Sequence, residues 1–168
     1  MLSYIPVIIS ITLITLYAAT VKQAHTSSDV ADVLAGNMYR HHVAALASVA
    51  GSPPSAGTVS GIDVTPFRNM GDWRSDVISD SGVTVLATWA EAYSTGGTAV
   101  PPDFDARHYR RAAVSLSARV RTTSYPSHAG IYDYDASGPG GSVGSFETGS
   151  LVIPVQDGSP ILLSVLTD

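Results

Sequence analysis

The chain of 168 residues contains no cysteine. This absence excludes disulfide bonds, thiolate zinc sites and cysteine-based catalysis together. It leaves the cellular compartment open, because an exported protein need not contain disulfides. The length is sufficient for one domain with a substantial hydrophobic core, and nothing in the sequence requires a second domain.

Lysine is almost absent as well, since Lys22 is the only one in the chain. The phosphate-binding loop G-x-x-x-x-G-K-[ST] therefore cannot occur. The dinucleotide pattern G-x-G-x-x-G, begun at Gly138, fails because Val143 stands where the pattern needs a glycine. We therefore expect no nucleotide partner and no cofactor.

Basic residues are fewer than acidic ones, 9 against 14, and the formal net charge is −5. Proteins that bind nucleic acids usually present a basic face, so we expect no nucleic-acid partner. One local cluster of arginines is interpreted as a solvated surface with weak ion pairs. Its members are Arg107, Arg110, Arg111, Arg119 and Arg121.

The first 21 residues carry no charged side chain, and most of them are aliphatic. A run of this length matches the roughly 20 residues that a helix needs to cross a bilayer. We therefore predict a transmembrane anchor over residues 1–21, with the lipid bilayer as a partner. The predicted anchor side chains are Leu2, Ile5, Val7, Ile8, Ile9, Ile11, Leu13, Ile14 and Leu16.

Two other interpretations of residues 1–21 stay open. A cleaved secretory signal fits less well because no basic residue precedes the long apolar run, although residues 18–20 resemble a weak cleavage site. A buried helix of a soluble domain is the third interpretation. Orientation is nearly undetermined: Lys22 alone places the domain in the cytoplasm, but a domain of this size can be translocated largely regardless of charge.

An amphipathic helix is predicted next, and we call residues 22–50 the helical stem. Asp29 and Asp32 suit the first turn of a helix, and the segment from Gly51 to Pro54 is typical of a helix end. Between them, apolar residues recur mostly at intervals of three to five. This stripe is predicted to pack on a sheet through Val30, Val33, Leu34, Met38, Val43, Leu46 and Val49.

Residues 51–168 are predicted to form a small β-rich domain. Alternating apolar and polar residues, or short apolar runs between turns, indicate strands. These are Val83 to Trp89, Val114 to Val120, Ile131 to Tyr134, Leu151 to Val155 and Ile161 to Leu166. Asp72 to Ile78 and Asp103 to Ala112 are predicted to be short helices. The predicted fold class is α+β: a long N-terminal helix, part membrane span and part amphipathic, packed on a small antiparallel sheet. This is the layout of pilins and pseudopilins.

No catalytic constellation is predicted. The five histidines lack metal-ligand spacing, so no metal site is expected, and we interpret all five as structural or surface residues. Gly140 to Gly144 matches the G-x-S-x-G pattern of serine hydrolases at Ser142, but no histidine follows His128, and the segment is interpreted as a flexible Gly/Ser-rich loop. A small periplasmic serine hydrolase is the least favoured functional hypothesis. The acidic pairs Asp103/Asp105 and Asp133/Asp135 are interpreted as turn residues.

The chain contains, in order, the apolar N-terminus, the helix ending near Val49, Ala56 to Ser60, Ser81 to Ala87, Ala129 to Ile131, and the terminal segments Leu151 to Pro154, Asp157 to Pro160 and Leu163. Taken in this order, these stretches resemble the short PilM proteins of type IVB, conjugation-associated pilus clusters. Pro101 to Arg111 has no match to the family pattern.

The resemblance implies a non-catalytic component of the pilus assembly apparatus or basal body. It implies a single-pass protein of the bacterial inner membrane, with the C-terminal domain in the periplasm and other pilus or pilin proteins as partners. A pilin-like subunit incorporated in a filament is the alternative. It is less favoured because the chain shows no basic leader ending in glycine and no glutamate near the start of the apolar run.

Overall fold

The structure is a computed structural model that describes residues 5–50, 55–95, 106–120, 125–134 and 140–167. Within the helices, the side chains of residues 5–11, 18–28, 106–110 and 118 lie outside this description. Within these described ranges, two α-helices and a short 3-10 turn accompany seven strands. In chain order these are α1 (Ile5–Val49), β1 (Gly57–Thr58), β2 (Trp73–Asp80), β3 (Val83–Ala90), the 3-10 turn (Glu91–Tyr93), α2 (Ala106–Arg119), β4 (Ser127–Tyr134), β5 (Gly141–Val143), β6 (Phe146–Glu147) and β7 (Pro160–Thr167).

The strands form one antiparallel sheet in the order β1-β2-β3-β7-β4-β5-β6. The last strand of the chain, β7, lies in the middle of the sheet between β3 and β4. A two-residue turn joins β2 to β3, and both of its residues, Ser81 and Gly82, have positive φ angles. Turns of this kind match the right-handed twist of the two strands.

Both faces of the sheet are buried. Along β3, Val85, Ala87 and Trp89 belong to one core, whereas Leu86 and Ala90 belong to the helix-covered side. The two helices α1 and α2 pack beside each other on that side. The opposite face is covered by residues 151–155, whose Leu151, Ile153 and Val155 enter the first core. Alternate side chains of a strand point to opposite faces, so this sheet needs a cover on each side.

Asn37 of α1 connects the helix to the irregular segment before β2. Its side-chain nitrogen donates to the carbonyl of Arg68 at 2.7 Å, and its side-chain oxygen accepts from the backbone N–H of Met70 and from Trp73 Nε1. Asn37 is itself buried. These bonds fix the approach of the chain to β2, beside the helix.

Several predicted elements are correct. The strands predicted from Val83 and from Ile161 lie within β3 and β7, and the one from Ile131 to Tyr134 is the second half of β4. The short helix predicted up to Ala112 lies in α2, which continues to Arg119. The start predicted for it, residues 103–105, lies outside the described residues.

Other predicted elements are wrong. Val114 to Val120 is helical: Leu116 is fully buried while Val114 is 73% exposed, so residues two apart do not share a face. The helix predicted over Asp72 to Ile78 is, from Trp73 onward, part of β2, because pairing with β3 places Trp73, Ser75 and Val77 along one face of the sheet. Leu151 to Val155 forms no strand, apart from one bridge between Val155 and Ser94. It alternates in burial because it lies across the sheet as a cover.

The predicted fold class is therefore wrong. The sheet is seven-stranded rather than small, and a second long helix packs beside α1. Within the described parts of the chain, no helix combines the length and apolar character that crossing a membrane requires. This finding contradicts the predicted membrane span and the predicted single-pass inner-membrane location. The prediction used the apolar run by itself, whereas α1 continues from that run without a break into a segment that carries Asp29, Asp32 and Arg40. The division of the chain at residues 21 and 50 stays a prediction.

Candidate functional site

The N-terminal part of α1 is the most unusual surface of the molecule. A 45-residue helix is about 68 Å long at 1.5 Å per residue. Its first buried side chain among those described is Ala31. Before that point, Leu13, Ile14, Leu16 and Tyr17 are between 61% and 72% exposed. We call residues 12–17 the exposed segment of α1.

The exposed segment is apolar over a wide angle. Successive residues of a helix are separated by about 100°, so Leu13, Ile14, Leu16 and Tyr17 together span nearly half of the circumference. Soluble proteins rarely expose contiguous large apolar side chains without a use for them. The segment is therefore a candidate interaction surface.

The predicted anchor residues are placed as follows. Leu13, Ile14 and Leu16 are exposed on α1. Ile5, Val7, Ile8, Ile9 and Ile11 lie on the same helix, with side chains outside the description, and Leu2 lies outside the described residues.

The C-terminal half of α1 packs on the sheet with α2. Of the predicted packing residues, Leu34, Met38, Leu46 and Val49 are buried and Val30 is partly buried. Val33 and Val43 are 49% and 39% exposed. The buried stripe uses Ala31, Ala35, His42 and Ala45 instead, at positions that complete the i, i+3, i+4, i+7 pattern.

His42 lies at the centre of a row of hydrogen bonds between α1 and the sheet. Its Nδ1 pairs with Thr88 Oγ1 of β3 at 2.7 Å, and its Nε2 pairs with Ser164 Oγ of β7 at 2.8 Å. Thr88 is bonded in turn to Ser75 of β2, and Ser164 to Ser127 of β4. One histidine thus connects a polar row across four strands.

Burial dominates the electrostatics of His42. Burial is the larger cause and the neighbouring His41 the smaller, and together they lower the pKa of His42 to about 3. The ring is therefore neutral at physiological pH, with one nitrogen as donor and the other as acceptor. Hydroxyl groups suit both roles, because each can donate or accept.

His41 lies on the same turn and is 5% exposed. Neither of its ring nitrogens makes a hydrogen bond. Burial lowers the pKa of His41. The side chain of Asn69 has the smaller, opposite effect of raising this pKa, although it does not form a hydrogen bond with either ring nitrogen. A buried polar group without a partner costs roughly 1–3 kcal/mol, so His41 requires an explanation.

His41 forms part of the wall of a cavity of about 300 Å³ beside β1 and β2. Val59, Ile62 and Trp73 supply apolar wall, and Arg74 and Glu91 supply charge. Arg74 Nε lies 3.0 Å from Asp76 Oδ1, and Arg74 Nη1 lies 3.2 Å from Glu91 Oε1. The hydrogen bond to Asp76 is the main cause that raises the pKa of Arg74. We call this cavity of about 300 Å³ the His41 cavity.

The G-x-S-x-G segment forms a hairpin rather than the predicted flexible loop. Ser142 lies on β5, Gly144 has a φ of 60° in the following turn, and β6 comes next. A nucleophile elbow requires a turn that leads from a strand into a helix, whereas the turn in this hairpin leads from β5 into β6. No group of three or more metal-binding side chains occurs among the residues that the structure describes.

Other predicted surface features are only partly described. Arg111 and Arg119 of the basic cluster are exposed on α2. Arg107 and Arg110 have side chains outside the description, and Arg121 lies outside the described residues. Of the acidic pairs, only Asp133 is described, and it is exposed on β4.

The sequence did not predict that His41 and His42 differ in role. His42 follows Met38 by four residues and Leu34 by eight, so it lies on the predicted apolar stripe, and this spacing could have marked it as buried. The His41 cavity had no comparable signal, because Thr58, Val59, Gly61, Ile62 and Glu91 line one cavity with His41 only in the folded protein.

Comparison of the chain with protein-family models, with curated proteins and with solved structures finds no match.

Proposed function

We propose that this protein is a non-catalytic assembly component of a type IVB pilus system, in which the exposed segment of α1 packs against helices of other pilus proteins. The observation that carries the proposal is the exposure of Leu13, Ile14, Leu16 and Tyr17 on a helix whose other half is held by a folded domain. The resemblance to short PilM proteins supports the choice of pilus system.

The energetics favour a helical partner. Burying a large aliphatic side chain contributes roughly 1.5–3 kcal/mol, so three or four such residues supply a useful share of a binding free energy. The first charged residue is Lys22, so a partner at residues 12–17 need not desolvate a charge of this chain. An amphipathic or apolar helix is the partner that fits a straight apolar helical surface.

The test is a pair of substitutions in the exposed segment, Leu13→Asp and Ile14→Asp, introduced into the host's own copy of the gene. Each places a charge in the proposed contact, and we expect each to reduce pilus number and conjugative transfer at least tenfold. Val152→Asp is the matched control, because Val152 is 72% exposed on the domain and lies far along the chain from α1.

Normal pili in both α1 variants would contradict the proposal. So would an equal loss in Val152→Asp, since that result would indicate a general effect of added charge. The free energy of unfolding of each purified variant is measured in parallel, and we expect it to match the wild type within about 0.5 kcal/mol because the changed side chains are exposed.

Incorporation in the filament itself is the second candidate function. The width of the apolar surface on α1 favours it, because a helix inside a bundle is contacted from several sides. The chain contains no cysteine, so a single Leu16→Cys variant can be labelled specifically. Label recovered in sheared, purified pili assigns the filament role, and label confined to the cell body assigns the assembly role.

A further inference from the structure

We propose that the His41 cavity binds a primary alkylammonium group, such as the side chain of a lysine or a small aliphatic amine. The cavity volume, about 300 Å³, lies at the lower end of small-molecule sites. It has an apolar wall at Val59, Ile62 and Trp73, and two oppositely charged side chains, Arg74 and Glu91. The site does not depend on the assembly role of α1.

The sign of the ligand's charge follows from the ion pairs. Arg74 contacts two carboxylates, Asp76 at 3.0 Å and Glu91 at 3.2 Å, so the cluster of one cation and two anions has a net charge of −1. An anionic ligand would meet this excess negative charge. A cation instead supplies the second positive charge that the cluster lacks.

His41 indicates the type of cation. Its ring is 5% exposed, and neither nitrogen makes a hydrogen bond. A neutral imidazole offers one acceptor nitrogen, and an ammonium group has three donors, enough for His41 and the Glu91 carboxylate together. The aliphatic stem of the ligand would pack on Val59, Ile62 and the Trp73 ring.

The test is a titration with Nα-acetyl-lysine-N-methylamide, followed by the NMR signals of the Trp73 indole and the His41 ring. We expect a saturable shift of both signals. Nα-acetyl-norleucine-N-methylamide has the same apolar stem without the ammonium group, and we expect no saturable shift from it. Equal responses to the two compounds would overturn the proposal, as would the absence of any saturable shift with the lysine derivative.

Single substitutions test whether Glu91 contacts the bound ammonium group. Glu91→Gln should weaken binding of the lysine derivative about tenfold or more, since a charge-assisted hydrogen bond is lost. Glu147→Gln is the matched control, because it removes the same charge from the exposed strand β6 at the other end of the sheet, and its affinity should equal that of the wild type. Equal weakening in both variants would overturn the proposed site in favour of non-specific attraction.

A third experiment distinguishes a free polyamine from a lysine of a protein as the ligand. Butane-1,4-diamine binding more tightly than the lysine derivative would assign the site to a free polyamine. The reverse order would assign it to a lysine of a protein. Both results support an alkylammonium site, and failure of both ligands to bind overturns it without affecting the proposed role of the exposed segment of α1.

Discussion

At the scale of single residues, His42 determines how α1 meets the sheet. Its two ring nitrogens form hydrogen bonds with the hydroxyl groups of Thr88 on β3 and Ser164 on β7. These hydroxyl groups are hydrogen-bonded in turn to Ser75 on β2 and Ser127 on β4. Buried polar groups that are fully paired fix one arrangement of a core, because a shifted helix would leave them unpaired. His42 therefore positions α1 on the sheet as well as contributing to stability.

Replacement of this histidine is expected to be costly. His42→Leu fills a similar volume but leaves Thr88 and Ser164 with one hydrogen bond fewer each. We expect the free energy of unfolding to fall by about 2–4 kcal/mol, as measured by urea denaturation. His128→Leu is the control: His128 is half-buried beside Phe146 and outside the polar row, and we expect a loss below about 1 kcal/mol. Equal losses in the two variants would contradict the role given to the row.

At the scale of elements, α2 shows how an alternating sequence can form a helix. Val114, Leu116 and Val120 alternate with polar residues as strand residues do. Leu116 and Val120 also share a helical pattern with Ala112 and Ala113, and burial follows that second pattern: residues 112, 113, 116 and 120 are buried. Contacts with α1 and with Leu162 of β7 select the helix.

Two substitutions test whether residues 114–120 form a helix or a strand. In a strand, Val114 and Leu116 would face the same side and have similar costs. In α2, Leu116→Ala removes a fully buried side chain and should cost about 2–5 kcal/mol. Val114→Ala changes an exposed side chain to the best helix former, so we expect no loss and a gain of a few tenths of a kcal/mol. Chemical denaturation measures both, and similar losses would contradict the helix.

At the scale of the whole molecule, two cores share one sheet. The helices cover one face and residues 151–155 cover the other, so strands β3 and β7 are buried on both sides. This explains the continuous burial from Val85 to Ala90 and from Pro160 to Val165. The adjacent histidines His41 and His42 are enclosed on the helix side, and they make the stability of the entire fold depend on pH.

The direction of that dependence follows from the two lowered pKa values. In the unfolded chain both histidines bind a proton below about pH 6.5, whereas in the folded protein His42 remains neutral down to about pH 3. The unfolded state therefore binds more protons in this window, and the free energy of unfolding falls as the pH is lowered. Each fully titrating histidine contributes a slope of at most about 1.4 kcal/mol per pH unit.

His42→Gln isolates the largest contribution, because glutamine keeps a donor and an acceptor but does not titrate. Urea denaturation at pH 6 and pH 5 gives the slope for each protein. We expect the wild type to lose about 1 kcal/mol more over this interval than the variant. Identical slopes would contradict the neutral, buried state of His42.

The sequence by itself determined the absence of cysteine chemistry and lysine phosphate loops, the apolar stripe of α1, and the strands of β3 and β7. These depend on composition and on local periodicity, which tertiary contacts altered little. Tertiary structure decided whether alternating segments became strands. Residues 114–120 became helical because α1 and β7 offered a surface for one helical face, and residues 151–155 became a cover because Leu151, Ile153 and Val155 pack on the sheet face opposite the helices. It also placed His41, Arg74 and Glu91 in the wall of one cavity, because packing of α1 on the sheet joins residues far apart in the chain and local spacing carries no record of that packing.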